Sequence, residues 1–248
     1  MTMSKRDKDN LSSGEGIIAN PSSWSFKGIS NNFEEHINKS VPLYSYAHEL
    51  VTSMTDYFIK SSSVIVDIGC STGNLVSSIS ERQKHIKKIN FYLIDKVEDM
   101  INYAKSNVTK QINHNYHFIC EDLINYNLPE EADIICSMFT IQFIPPAIRQ
   151  EIINNIYSSL SWGGALFFFE KVNGEDARFH ELLLQNYEDY KISKGYTLNE
   201  IKSKQLSLRG VLKPFSSQGN LDLLKRGGFI DIQPIFQYGL FRGFLAIK

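Results

Sequence analysis

An excess of positive charge is missing from the 248-residue chain, in which 26 lysines and arginines face 27 aspartates and glutamates for a formal net charge of −1. That balance removes the whole-chain electrostatic case for binding nucleic acid or an anionic membrane surface. Long apolar runs are missing too. None approaches the roughly 20 residues a bilayer span requires, and the N-terminal stretch MTMSKRDKDNLSSGEG has no apolar segment of the secretory kind. The sequence therefore reads as cytoplasmic, with no membrane partner and no direct nucleic-acid binding. Cysteine is scarce, and Cys70, Cys120 and Cys136 lie too far apart to form a CxxC or Cys/His set. A disulfide framework and a structural zinc are unsupported, no metal is expected, and the three read as small core or strand-end residues.

What is present has a readable order. Residues 1–16 are polar and contain glycine and serine, which predicts a disordered tail. The remainder, 17–248, reads as one domain, because a chain of this length buries a substantial single core. Its first part, 17–60, mixes aromatics with polar residues around Pro42 and predicts an arm or lid followed by a helix running to about Lys60. Then apolar runs alternate with amphipathic stretches: VIVDIG, NLVSSISERQ, INFYLID, VEDMINYAKSNV, YHFICED, ADIICSMFT, AIRQEIINNIYSSL and GALFFFEK. This alternation predicts an α/β fold with a doubly wound, mostly parallel sheet. A helical insertion over 174–212 follows, with helices at about 174–194 and 197–207. The last apolar runs, FIDIQPIF and GLFRGFLAIK, predict an antiparallel edge hairpin.

The stretch VIVDIGCSTGNL, Val64 to Leu75, sits where the first strand of such a sheet turns into its first helix. Ligands bind there, at the carboxyl ends of strands near the switch point. Gly69 and Gly73 permit a sharp bend and a close approach, although turn chemistry alone also explains them. The middle glycine of a GxGxxG turn is missing, which disfavours a pyrophosphate and with it a nicotinamide oxidoreductase. The next strand ends in Asp95, placed to meet ribose hydroxyls, and a third ends in Glu121-Asp122, where a carboxylate can accept from an exocyclic adenine amine. Each is also explicable as a solvated strand end. Together, Asp67, Gly69, Asp95 and Asp122 describe a nucleoside site without a phosphate cradle.

An acidic residue followed by a glycine-rich turn resembles the first motif of class I S-adenosylmethionine-dependent methyltransferases. A closer resemblance spans nearly the whole chain: SVPLYS, VDIGCSTGN, FTIQF, SWGGALFFFEK, GEDARFHELL, KGYTLNEIKSK and KRGGF are similar to the carboxy-S-adenosylmethionine synthase family. That resemblance implies a Rossmann-like methyltransferase fold with an antiparallel C-terminal strand, S-adenosylmethionine as cofactor, a homodimer, and prephenate as the second substrate in making a carboxylated cofactor for tRNA wobble-uridine modification. It also implies cofactor contacts at Tyr44, at the turn Gly69-Cys70-Ser71 with Gly73, at Asp95-Lys96, at Asp122-Leu123 and at Met138. Two positions depart from the family pattern. Gln205 stands where the family carries an arginine that pairs with the added carboxylate, and Met138 stands where it carries an asparagine. A neutral amide and a thioether cannot replace a bidentate guanidinium fork. Arg209, four residues beyond Gln205 on the same helical face, is a candidate replacement in the substrate pocket and equally an ordinary surface arginine.

Catalytic residues are not legible, and Glu170, His180 and Tyr44 are weak candidates. Glu170 ends a buried strand on the cofactor side and could orient a nucleophile. His180 fits a general base or a structural histidine. Phe26, Phe33, Tyr187 and Tyr190 read as the wall of an apolar substrate pocket or as core. The expected function is S-adenosylmethionine-dependent methyl transfer to a small molecule. Retained synthesis of the carboxylated cofactor and a non-catalytic cofactor-binding protein are the alternatives.

Overall fold

The computed structural model describes residues 12–14, 20–22 and 24–248. Most of the expected disordered tail, residues 1–16, lies outside the described residues. Of that segment Ser13 is fully buried and the Ser12 hydroxyl donates to Glu200 Oε1 at 3.4 Å, so 12–14 are packed where the sequence predicted a tail.

Seven strands form one sheet in the order β3-β2-β1-β4-β5-β7-β6. They are β1 (Val64–Ile68), β2 (Asn90–Asp95), β3 (Asn115–Cys120), β4 (Ala132–Met138), β5 (Leu160–Lys171), β6 (Asp231–Tyr238) and β7 (Phe241–Ile247). The first five pair in parallel, with Asp67 opposite Leu93 of β2 and Cys136 of β4. β7 runs antiparallel beside β5, with Phe168 opposite Phe244, and β6 pairs antiparallel with β7 at the sheet edge. The expected C-terminal hairpin is therefore present, with only its first strand at the edge. The order of strands along the sheet reverses between β1 and β4, which makes their carboxyl ends the switch point.

The sheet is covered on both faces, and successive residues divide between two cores. Ile65, Phe91, Leu93, Ile134, Phe167 and Phe169 pack with residues of α2 (Tyr44–Met54), α3 (Asn74–Arg82) and α4 (Glu98–Asn107). Val66, Ile68, Ile135, Leu166, Phe168 and Phe244 pack on the other face with α5 (Arg149–Ser159) and α8 (Ser217–Gly227). Helix α2 stops at Met54 and passes into a 3-10 turn to Tyr57, short of the predicted Lys60. Thr55 Oγ1 donates to the Thr52 carbonyl at 2.7 Å, a local bond that competes with helix continuation.

Two additions shape the region above the sheet. The arm carries α1 (Phe33–Ser40), and Trp24, Ile29 and Phe33 pack against Met100 of α4. The insertion holds α6 (Ala177–Ser193) and α7 (Leu198–Ser207). Thr197 and Glu200 cap α7 reciprocally, which explains its sharp start. The backbone N–H groups of Ser22 and Trp24 donate to Leu206 and Ser207 carbonyls at 2.9 and 3.1 Å, so arm and insertion form one roof.

Candidate active site

The turn after β1 is held by its glycines. Gly69 has φ +70° and Gly73, the residue before α3, has φ +78°. A Cβ on Gly73 would stand 2.5 Å from Val108 Cγ2, so this glycine also permits close packing of helix on helix. Beneath the turn Asp67 is buried, and burial first and the charge of Asp95 second push its carboxyl up to about 7. Asp95 closes the next strand. Its Oδ2 accepts the Ser71 backbone N–H at 3.0 Å and its Oδ1 accepts that of Val97 at 2.9 Å, which fixes the carboxylate at the cavity wall. Burial raises its pKa, opposed by these bonds. Asp122 Oδ1 accepts from Ile124 N at 3.1 Å, and its Oδ2 lies 4.0 Å from Lys96 Nζ.

These strand ends open into a cavity of about 680 Å³ beneath the roof. Its strand-end side brings together Tyr44, Gly69, Ser71, Asp95, Lys96, Asp122, Leu123 and Met138. Asp67, Cys70 and Gly73 do not line it; Asp67 and Cys70 are buried, and Gly73 sits at the start of α3. Cys136 is buried as well, while Cys120 at the end of β3 is exposed. Tyr44 packs its ring 4.3 Å from that of His48, and burial, followed by Glu34 and Asp67, pushes its hydroxyl well above the usual range. It therefore stays protonated at neutral pH.

The opposite side of the cavity is walled by aromatics of the roof, including Trp24, Phe26, Phe33 and Tyr187, while Tyr190 lies outside it. Gln205 lines this half and donates its side-chain amide to Glu188 Oε1. Arg209 is exposed and lies outside the cavity. His180 is also outside, with Nδ1 accepting the Gly174 N–H at 3.1 Å.

Glu170 is fully enclosed and faces the loop after β4 in place of the cavity. Its Oε1 accepts the Ile141 N–H at 3.0 Å, while the buried Arg149 donates to the Gln142 and Ile144 carbonyls at 2.9 and 2.8 Å. Burial pushes the Glu170 carboxyl up to about 8 against the opposing pull of Arg149. This loop contains Phe139 at φ +60°, a conformation that bulky residues avoid, and it supplies Phe139, Thr140, Gln142 and Phe143 to the wall. Glu170 and Arg149 are thus positioning residues for a strained loop.

Sequence reasoning missed Lys171 and Lys191, which both line the roofed half. One signal was available: FFFEK ends an entirely apolar strand on two charges at the ligand side of the sheet.

Residues 65–164 match the model of a methyltransferase domain. Over 231 residues, 92% of this chain and 99% of the relative, the sequence is 37% identical to a carboxy-S-adenosyl-L-methionine synthase of Staphylococcus epidermidis. The chain belongs to the carboxy-S-adenosyl-L-methionine synthase family. A synthase of that name from Campylobacter lari is 30% identical over 89% of this chain and 92% of its own length. The fold of this synthase-family chain is that of S-adenosylmethionine-dependent transferases. A putative O-methyltransferase from Nostoc punctiforme superposes with a TM-score of 0.62 at 12% identity, covering 91% of this chain. Human N-acetylserotonin methyltransferase in complex with its cofactor gives 0.52 at 17% identity, covering 88%. The chain spans 64% and 59% of those two solved chains, so they hold further structure that it does not match.

Proposed function

We propose that the protein is an S-adenosylmethionine-dependent methyltransferase whose acceptor is a small molecule. The cofactor's adenosine would lie along Asp95, Asp122 and Leu123, with the sulfonium pointing towards the roofed half. The observation that carries the methyl-transfer reading is the neutrality of the two departing positions: Gln205 spends its amide on Glu188, and Met138 presents a thioether to the cavity wall. Neither offers an ion pair to a carboxylate added at the sulfonium methyl. Methyl transfer is an in-line displacement in which alignment and exclusion of water supply most of the acceleration, so the lack of a free base among Glu170, His180 and Tyr44 is no obstacle. The roof built from arm and insertion suits that exclusion.

A second reading, synthesis of the carboxylated cofactor from prephenate, is favoured by the 37% identity that extends over almost the whole Staphylococcus epidermidis synthase. Mass spectrometry of the ligand that copurifies with the protein separates the two. S-adenosylmethionine or its demethylated product supports methyl transfer, and the carboxylated form supports the second reading. An intact site with no product from any acceptor would indicate a cofactor-binding protein without turnover.

We also read the chain as a cytoplasmic homodimer. Helix α6 buries only Lys191 and leaves Phe179 and Leu182 exposed, which is the kind of apolar surface a second copy would cover. Among the described residues no helix is long and apolar enough to cross a membrane.

A further inference from the structure

A second cavity, also of about 680 Å³, lies behind Tyr44 and is lined by residues of α1, α2 and α3. Tyr44 belongs to its wall and to the wall of the first cavity, and the Tyr44 ring packs 4.3 Å from that of His48. His48 and Thr52 stand one turn apart on the same face of α2, and both line the second cavity. Among the described residues His48 Nε2 and Thr52 Oγ1 are buried and have no hydrogen-bond partner, and Thr52 as a whole is only 9% exposed. Buried polar atoms are almost always paired, so two orphans beside one cavity point to an occupant.

The charges of the lining say what kind of occupant fits. Three charged side chains line this cavity: Glu34, Glu49 and Arg82. Arg82 is spent, because its guanidinium grips both oxygens of Asp56 at 2.8 and 2.6 Å. Glu34 Oε1 accepts from Thr72 Oγ1 in the turn after β1, close to the positive end of α3. Glu49 is exposed, and among the described residues its carboxylate has neither a hydrogen bond nor an ion pair. One negative charge is therefore left over, which favours a monocation and disfavours a carboxylate or phosphate. Burial lowers His48 to about 4, so its imidazole is neutral at physiological pH and keeps an acceptor nitrogen. Among the described residues no three His, Cys, Asp or Glu side chains are grouped to hold a metal ion, which leaves an organic cation.

We infer that this second cavity is an effector site for a small hydroxylated ammonium ion, whose binding steadies the arm and tightens the hold on the cofactor. The ammonium group meets Glu49 at the mouth, and the hydroxyl group meets Thr52 and His48 inside. Coupling to the first cavity follows from two shared residues. Tyr44 separates the cavities, and Glu34, which lines the second, is the residue that latches α1 to the turn after β1. An occupant beside Glu34 holds that carboxylate in place and so favours the latched arm. By linkage the cofactor must favour the occupant to the same degree. The coupling rests on reading the first cavity as the cofactor site, whereas occupancy of the second does not.

The test uses ethanolamine as the probe and ethylene glycol as its neutral counterpart, with binding to the full chain read by ligand-observed NMR. Ethanolamine should bind about tenfold more tightly than ethylene glycol, or better. Glu49→Gln and Thr52→Val should each weaken ethanolamine binding about fivefold or more. Glu49 is exposed, so its variant removes the charge without disturbing packing and should melt like wild type. Saturating ethanolamine should tighten S-adenosylhomocysteine binding severalfold by calorimetry, S-adenosylhomocysteine should tighten ethanolamine binding by the same factor, and ethanolamine alone should slow protease cleavage between Phe26 and Tyr46. Absence of ethanolamine binding, equal binding of the two probes, or full binding by either variant would overturn the inference. So would ethanolamine binding that leaves both the S-adenosylhomocysteine affinity and the cleavage rate unchanged. If S-adenosylhomocysteine does not bind at all, the cofactor reading fails, and the ethanolamine titration with the cleavage assay still decides the second site.

Discussion

Asp95 accepts the Ser71 backbone N–H at 3.0 Å, and this bond ties the acidic end of β2 to the turn that follows β1. One carboxylate therefore shapes the turn and faces the cavity. Asp95→Ala should weaken cofactor binding about a hundredfold, the loss expected for two charge-assisted hydrogen bonds worth about 3 kcal/mol together. Calorimetry with S-adenosylhomocysteine checks this. Equal affinity in wild type and variant would remove Asp95 from the ribose.

The side of the cavity that carries Asp95 and Asp122 was legible because it depends on strand ends. Apolar runs of about six residues locate the carboxyl edge of a parallel sheet, and whatever polar residue follows must stand there; Asp95 and Asp122 could be placed from sequence for that reason. The roofed side depends on how a helical insertion lies across the sheet. Nothing in the spacing of Lys191, Gln205 and Arg209 along the chain says that the first two enter the cavity and the third stays outside. Glu170 stands at the end of β5, where the loop after β4 folds over it and its carboxylate holds the Ile141 N–H, a contact that nothing in the sequence around it announces.

Asp67 makes stability depend on pH in a defined direction. Burial and the charge of Asp95 raise its carboxyl to about 7 in the folded protein, against an ordinary value of 3.8. Between those values the folded state binds more protons than the unfolded state, so this group's contribution is full below about pH 4 and is lost as the pH rises through 7. Glu170, raised to about 8, acts with the same sign. Thermal melts of the cofactor-free protein from pH 5 to 7.5 should show falling stability, and Asp67→Asn should flatten the slope. A slope that rises, or one unchanged in the variant, would contradict the assignment.

The arm is latched at two points. Thr72 Oγ1 donates to Glu34 Oε1, and the Gly28 N–H donates to Asp99 Oδ2 at 3.0 Å, so α1 and the segment before it are fastened to the turn after β1 and to α4. Bound cofactor should hold this latch shut and slow protease cleavage between Phe26 and Tyr46. Glu34→Ala should speed cleavage several-fold and reduce the protection. Cleavage that is slow and indifferent to cofactor would make the arm permanent packing.

The neutral clamp positions also predict a gain. Gln205→Arg combined with Met138→Asn should shift preference towards the carboxylated cofactor, because a guanidinium can pair with the added carboxylate where the neutral amide cannot. Competition between the two cofactors, read by calorimetry on wild type and double variant, measures the shift. An unaltered ratio would mean that Gln205 does not face the sulfonium.

Incubation of the wild-type protein with S-adenosylmethionine and prephenate, with the products read by mass, tests methyl transfer most directly. The geometry of Gln205 and Met138 predicts that no carboxylated cofactor accumulates above the level of an enzyme-free control. Catalytic formation of the carboxylated product would contradict it, and Lys171 and Lys191 would then be the first residues to examine as its clamp.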